Sequence, residues 1–167
     1  MIPAGTTWIS ESVFAFLQDA ANRAEPKETG GVLLGYWGES PAEPVITHAV
    51  GAGPRAIHRR DRFVPDHEFQ LTEIERIYRK SNRRLRYLGD WHSHPGCSAK
   101  MSLKDQTTLR LIAIAPDARA PRPLMLILGY GPMWEPIAWI ISDVQRSEIL
   151  RRRLIEQWEV RVFSEAV

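Results

Sequence analysis

The chain has 167 residues, 44% of them hydrophobic and 25% charged, with a formal net charge of +2. That length suits one domain with one sizeable core, and that composition excludes an extensively disordered or membrane-embedded chain. The small, sign-mixed charge gives no reason to expect a nucleic-acid partner. No stretch approaches the roughly 18 apolar residues of a membrane span, so no membrane partner is expected.

The predicted elements alternate in type. "MIPAGTTWIS" lacks the basic-then-apolar pattern of a secretion signal. "SESVFAFLQDAANRAEP" offers Ser10 or Ser12 as N-cap, places Val13, Phe16, Leu17 and Ala20 on one face and stops at Pro26, which predicts a first helix. "GGVLLGYW" and "EPVITHAV" are apolar, β-branched runs around a Gly/Ser/Pro turn, as two paired strands would be. The basic run "RAIHRRDRF" reads as a solvated face. Asp66 caps a second helix with Phe69, Ile74 and Ile77 at helical spacing. "RRLRYLGDWHSH" reads as a strand entering Pro95, and "SLKDQTTLRLIAIA" as a helix opening at Ser102. Two strands follow, "PLMLILGYG" and "EPIAWIIS", and then an amphipathic helix from about 143 to 158 with Ile149, Leu150, Leu154 and Ile155 inward. A single α/β domain over residues 1–167, a mixed central β-sheet flanked by helices, is the economical architecture. The one cysteine, Cys97, cannot form an intrachain disulfide, which agrees with a reducing cytoplasm.

The chemistry concentrates in "YLGDWHSHPGCSAKMSLKDQ". Strand side chains repeat with period two, so His92 and His94 share a face while Ser93 and Trp91 point away. Pro95 ends the ladder, and Asp105 lies in the first turn of the next helix, where the loop can fold its carboxylate toward the imidazoles. Two neutral imidazoles and a carboxylate suit zinc with a fourth position open, the arrangement of a catalytic site. Ser102-Leu-Lys-Asp105 is equally a helix-start pattern, in which the serine caps and the acid meets the helix dipole. Cys97, three residues after His94, offers a less favoured fourth ligand. His48, His58 and His67 have no partner at metal-ligand spacing and read as structural.

Taken together, His92-Ser93-His94-Pro95, Ser102-x-x-Asp105 and, far upstream, Glu28 in "KETGGVLLGYW" resemble the JAMM (MPN-plus) metalloprotease motif, over most of the chain and in the family's order. The resemblance is to its compact bacterial, deubiquitinase-like members and implies the JAMM/MPN, cytidine-deaminase-like architecture. It further implies one Zn2+ held by His92, His94 and Asp105, Glu28 as general base and acid, and Ser102 as an oxyanion donor. Spacing alone does not single out Glu28. The implied reaction is cleavage after the C-terminal glycine of a ubiquitin-like protein, by deconjugation or precursor processing. Conjugation enzymes of a shared antiphage operon are the implied partners. The expected binding mode is an extended tail laid beside a sheet edge and clamped by residues 50–65 and 95–102. Processing of a sulfur-carrier protein, a non-catalytic MPN-type scaffold and a nucleic-acid-associated role are the other readings. The complete ligand set speaks against the second and the charge against the third.

Overall fold

The computed structural model describes residues 4–145 and 151–165. The three amphipathic segments fold as helices, each behind a side-chain cap. α1 (Glu11–Ala24) starts at Ser10, whose hydroxyl accepts from the Val13 amide, α2 (His67–Lys80) at Asp66, and α3 (Leu103–Ile114) at Ser102. Such caps are each worth about 1 kcal/mol.

The strands are β1 (Thr6–Ser10), β2 (Gly30–Trp37), β3 (Pro44–Val50), β4 (Ile57–His58), β5 (Phe63–Val64), β6 (Arg86–His94), β7 (Leu124–Tyr130), β8 (Trp134–Gln145) and β9 (Arg151–Phe163). Seven of them form one mixed sheet in the order β1-β3-β2-β6-β7-β8-β9, closed on itself because β9 also pairs with β1. Parallel pairs join β1 to β3, β1 to β9 and β6 to β7; the rest are antiparallel. β4 and β5 make a separate hairpin within the basic run, where the sequence suggested only a solvated face.

The helix expected over 143–158 is not formed. β8 continues to Gln145 and β9 starts at Arg151, with Ala138 opposite Trp158 and Ile141 opposite Ile155; residues 146–150 of that expectation lie outside the described residues. The apolar spacing that suits a helix also suits a strand with both faces covered. The unpaired main-chain groups of β8 and β1 decide between them, since one strand satisfies both edges. Closure also bears on the expected strand addition, because the main sheet offers no free edge. Among the described residues only the β4–β5 hairpin does.

Helices cover both faces. α1 buries Val13, Leu17 and Ala21 against Ile9, Leu33, Trp91 and Leu126. On the opposite face, α2 sets Ile77 on Val32, Leu34 and Val50, and α3 sets Leu109 on Met125, Ile127 and Ile141. Each fully buried aliphatic side chain contributes roughly 1.5–3 kcal/mol. No described helix is long and apolar enough to cross a membrane.

Gly31 permits a close approach that matters for the site. A Cβ there would stand 1.9 Å from the Val50 carbonyl oxygen, the same oxygen that accepts the Trp91 indole N–H at 3.2 Å. Gly31→Ala is therefore expected to lower stability by about 2–3 kcal/mol. In urea the unfolding midpoint should fall with little change in slope.

Candidate metal centre

β6 carries His92 and His94 on one face, as strand alternation requires. Trp91 and Ser93 point away: Trp91 is wholly buried in the α1-side core, and Ser93 is buried as well. The chain leaves β6 after His94 through a loop held to β7 by the Tyr130 amide, which donates to the Cys97 carbonyl. A Cβ on Gly129 would lie 2.3 Å from the Ala99 nitrogen, so the glycine lets this loop lie flat on the sheet. The loop delivers Ser102 and, one helical turn on, Asp105.

The three side chains converge. His92 Nε2 lies 2.9 Å from His94 Nε2 and 3.5 Å from Asp105 Oδ1, and His94 Nε2 lies 3.7 Å from Asp105 Oδ2. A tetrahedral zinc with bonds of about 2.0–2.1 Å has ligand atoms roughly 3.3 Å apart, so the triangle fits that ion. Its side chains are largely buried, between 8% and 15% exposed. His94 Nδ1 donates to the Ser98 carbonyl at 3.1 Å, which leaves Nε2 as a lone pair facing the centre. Burial, and then the charge of His92, push the His94 pKa down and keep it neutral against the opposing pull of Ser98 and Asp105. Burial alone would push Asp105 up. The hydrogen bond and charge of His92, together with the Ser102 hydroxyl and amide, outweigh it and hold the carboxyl well below its ordinary range. Two neutral nitrogens and one anionic oxygen aimed at a common point form a cation site.

Ser102 and Asp105 form a capping box. The Ser102 amide and hydroxyl both donate to Asp105 Oδ2, at 2.8 and 2.7 Å, and the Asp105 amide donates back to the Ser102 oxygen at 3.1 Å. The hydroxyl proton is thus engaged with Asp105. Cys97 is exposed and lies outside the cluster.

Glu28 reaches the site through strand register. Gly30 pairs with His92, and the ladder continues beyond it: Ser93 donates its amide to the Thr29 carbonyl at 2.8 Å, and Thr29 donates its amide to Ser93 Oγ at 3.1 Å. One step further along that register sets Glu28 across from His94. The hairpin holds it from the other side, since the Glu28 amide donates to the Arg59 carbonyl at 2.8 Å and His58 Nδ1 donates to the Glu28 carbonyl at 3.0 Å. The half-buried Glu28 carboxyl has its pKa raised, by burial first. The charge of His92 opposes this and that of Asp105 adds to it, so Glu28 stands within electrostatic range of both ligands. His58 therefore has a structural duty, as expected. Ser93 was passed over as pointing away, but it is the residue that ties the glutamate's strand to the metal strand.

Asp90, which the sequence reading did not single out, precedes the ligands on the same strand. It accepts the Tyr87 hydroxyl at 2.7 Å. Burial raises its pKa, against the hydrogen bond from Tyr87 and the nearness of His92 and His67. It lies in a cavity of about 490 Å3 between α2 and α3, with Phe63 and Pro65 of the hairpin side at its wall.

Comparison with known proteins agrees with this geometry. The family described as prokaryotic homologs of the JAB domain matches residues 10–155. A probable metalloprotease, y4qB, of Sinorhizobium fredii is 43% identical over 147 residues, covering 87% of this chain and 89% of that protein. A CD-NTase/cGAS isopeptidase of Enterobacter hormaechei is 28% identical over 127 residues, 76% of this chain and 69% of that protein. The solution structure of DSY2949 from Desulfitobacterium hafniense shares the fold, with a TM-score of 0.64 at 20% identity, covering 95% of this chain and 94% of that one.

Proposed function

From the premise that this chain belongs to the prokaryotic JAB-domain family, we propose that it is a zinc-dependent peptidase or isopeptidase acting after the C-terminal glycine of a ubiquitin-like protein. The observation that carries the reading is the His92–His94–Asp105 triangle with Glu28 held beside it. The similarity to a probable metalloprotease supports the reaction, and the similarity to a CD-NTase/cGAS isopeptidase supports a protein conjugate as substrate. We assign the activity to a single cytoplasmic domain spanning residues 1–167, in keeping with its one unpaired cysteine. The conjugation enzymes of an antiphage operon are its proposed partners.

His92, His94 and Asp105 would hold the zinc, which when bound supplies a Lewis acid that acidifies water and polarises the scissile carbonyl. Glu28 then takes the proton from the attacking water and gives it to the leaving amine. Its raised pKa suits both steps, because a base that is too weak cannot accept and an acid that is too strong cannot hold the proton for return. Main-chain bonds to Arg59, His58 and, through Thr29, Ser93 fix the segment that carries it, which limits the motion between the two transfers. The substrate tail lies extended in the groove between α2 and α3 and pairs with the free edge of the hairpin.

Ser102 has two proposed duties. It holds Asp105 in its ligating orientation, and on substrate binding its hydroxyl turns to the developing oxyanion. Ser102→Ala is expected to cost about 1 kcal/mol of stability through the lost cap and about 10–100-fold in zinc affinity through the lost outer contact. A further fall in kcat of about a hundredfold at saturating zinc would come from the missing oxyanion donor. Full kcat at saturating zinc would leave only the positioning duty.

The experiment for the reaction offers the zinc-loaded protein a ubiquitin-like domain fused through its terminal glycine to a lysine-linked or linear partner. A free tail peptide and an unfolded protein serve as comparisons. Cleavage of the fusion, abolished by chelation and by a bulky replacement of the penultimate glycine, is the expected result. Rapid cleavage of all three would mean a general peptidase, and cleavage of none with zinc bound would overturn the reading.

A further inference from the structure

α2 and α3 pack on the same face of the sheet, α2 over β2 and β3 and α3 over β7 and β8. β6 lies between them, and the groove above it leads away from the metal centre along the strand. Leu71 and Ile74 of α2 form one wall and Leu111 and Ile112 of α3 the other. Leu71 and Leu111 remain 67% and 58% exposed at the rims. Asp90 lies at the floor of this apolar groove. Its carboxyl receives the neutral Tyr87 hydroxyl and, among the described residues, forms no ion pair with a lysine or arginine. A carboxylate in apolar surroundings with one neutral donor is unfavourable by itself, and an incoming cation relieves it.

We propose that Asp90 is a specificity-determining residue that receives a lysine or arginine side chain of the substrate, two residues before the one whose carbonyl is attacked. The assignment rests on the peptidase reading above. Asp90 stands two residues from His92 on the same strand face, about 7 Å at a strand's rise of about 3.3 Å per residue. An extended tail has the same rise, so with its scissile carbonyl at the metal the side chain two positions upstream lies over Asp90. The same alternation sends neighbouring side chains toward the rims, where Leu71 and Leu111 favour an apolar one. The substrate class is thus a tail that ends in small residues and carries a basic residue immediately before them.

The test measures binding separately from turnover. Fluorescein-labelled peptides ending Ala-Leu-Ala-X-Gly-Gly, with X lysine, glutamine or glutamate, are titrated against the zinc-loaded protein by anisotropy. The lysine peptide should bind about tenfold more tightly than the glutamate peptide, the scale of one charge-assisted contact. Asp90→Asn, whose amide oxygen still accepts from Tyr87, should lose that preference, and Asp90→Lys should reverse it. Equal affinity of the three peptides for the unaltered protein, or binding of none, overturns the assignment. So does an equal weakening of all three in Asp90→Asn with a fall in zinc content, which would make Asp90 a support of His92. A charge preference that follows Asp90, in a protein that cleaves no fusion, would keep the assignment and remove the peptidase reading.

Discussion

Glu28→Gln should take up zinc as the unaltered protein does and lose activity by about a thousandfold, within the 10²–10⁴ range of a general base. The amide matches the carboxylate in shape but cannot carry a proton from water to the leaving amine. The contacts that place residue 28 are main-chain bonds to Arg59 and His58 and the Thr29–Ser93 pair, none of which involves the carboxylate, so the fold should tolerate the change. The loss should therefore appear in kcat, with zinc content and melting temperature preserved. The unaltered enzyme should also show the sign of the pKa shift. Glu28 acts only when deprotonated and its pKa is raised by burial. Activity should fall, as pH drops, at a pH above the ordinary carboxylate range, and Glu28→Gln should lack that limb. An active Glu28→Gln protein would rule this mechanism out.

The double variant His92→Ala/His94→Ala should fall from about one zinc per chain to almost none and lose all cleavage. Asp105→Ala should do the same, although it would also lose its half of the capping box. The separation from Glu28→Gln lies in the metal: the base variant keeps it and the ligand variants do not. Calorimetry gives a second readout. Zinc at a hundred times its dissociation constant stabilises by about 2.7 kcal/mol, and a domain of this size gains about 2–4 °C per kcal/mol, so the unaltered protein should melt about 5–10 °C higher with zinc. The double variant should not respond. Stoichiometric zinc in it would sink the ligand assignment.

The parts of this protein that were legible in sequence are those set by local rules. Ser10, Asp66 and Ser102 announce three helices because a cap and an apolar stripe act within one or two turns. His92 and His94 announce a shared face because strand alternation is local as well. Glu28 obeys no such rule. It reaches the site because β2 pairs with β6 in one register, and a residue pattern does not display register between distant strands; only the family resemblance pointed to it. β9 was misread for a related reason. Its apolar spacing permits helix or strand, and the deciding influence is two sheet edges contributed from far away in the chain. Asp90 escaped notice because an acid before an H-x-H pair looks like an ordinary polar strand residue until the helices on either side are seen to leave it uncovered.

The pairing of β1 with β9 has a bearing on how the molecule forms. Contacts between Thr6–Ser10 and Glu159–Phe163 join segments separated by almost the whole chain, and pairings of such high sequence separation are slow to form because the loop-closure entropy is met before they reward it. During synthesis the helices and the strands that bear the metal ligands leave the ribosome before β9, so β1 and β8 meanwhile present open edges to other nascent chains. Folding should thus end in a late closing step, and a chain interrupted ahead of β9 should aggregate rather than persist as a smaller enzyme.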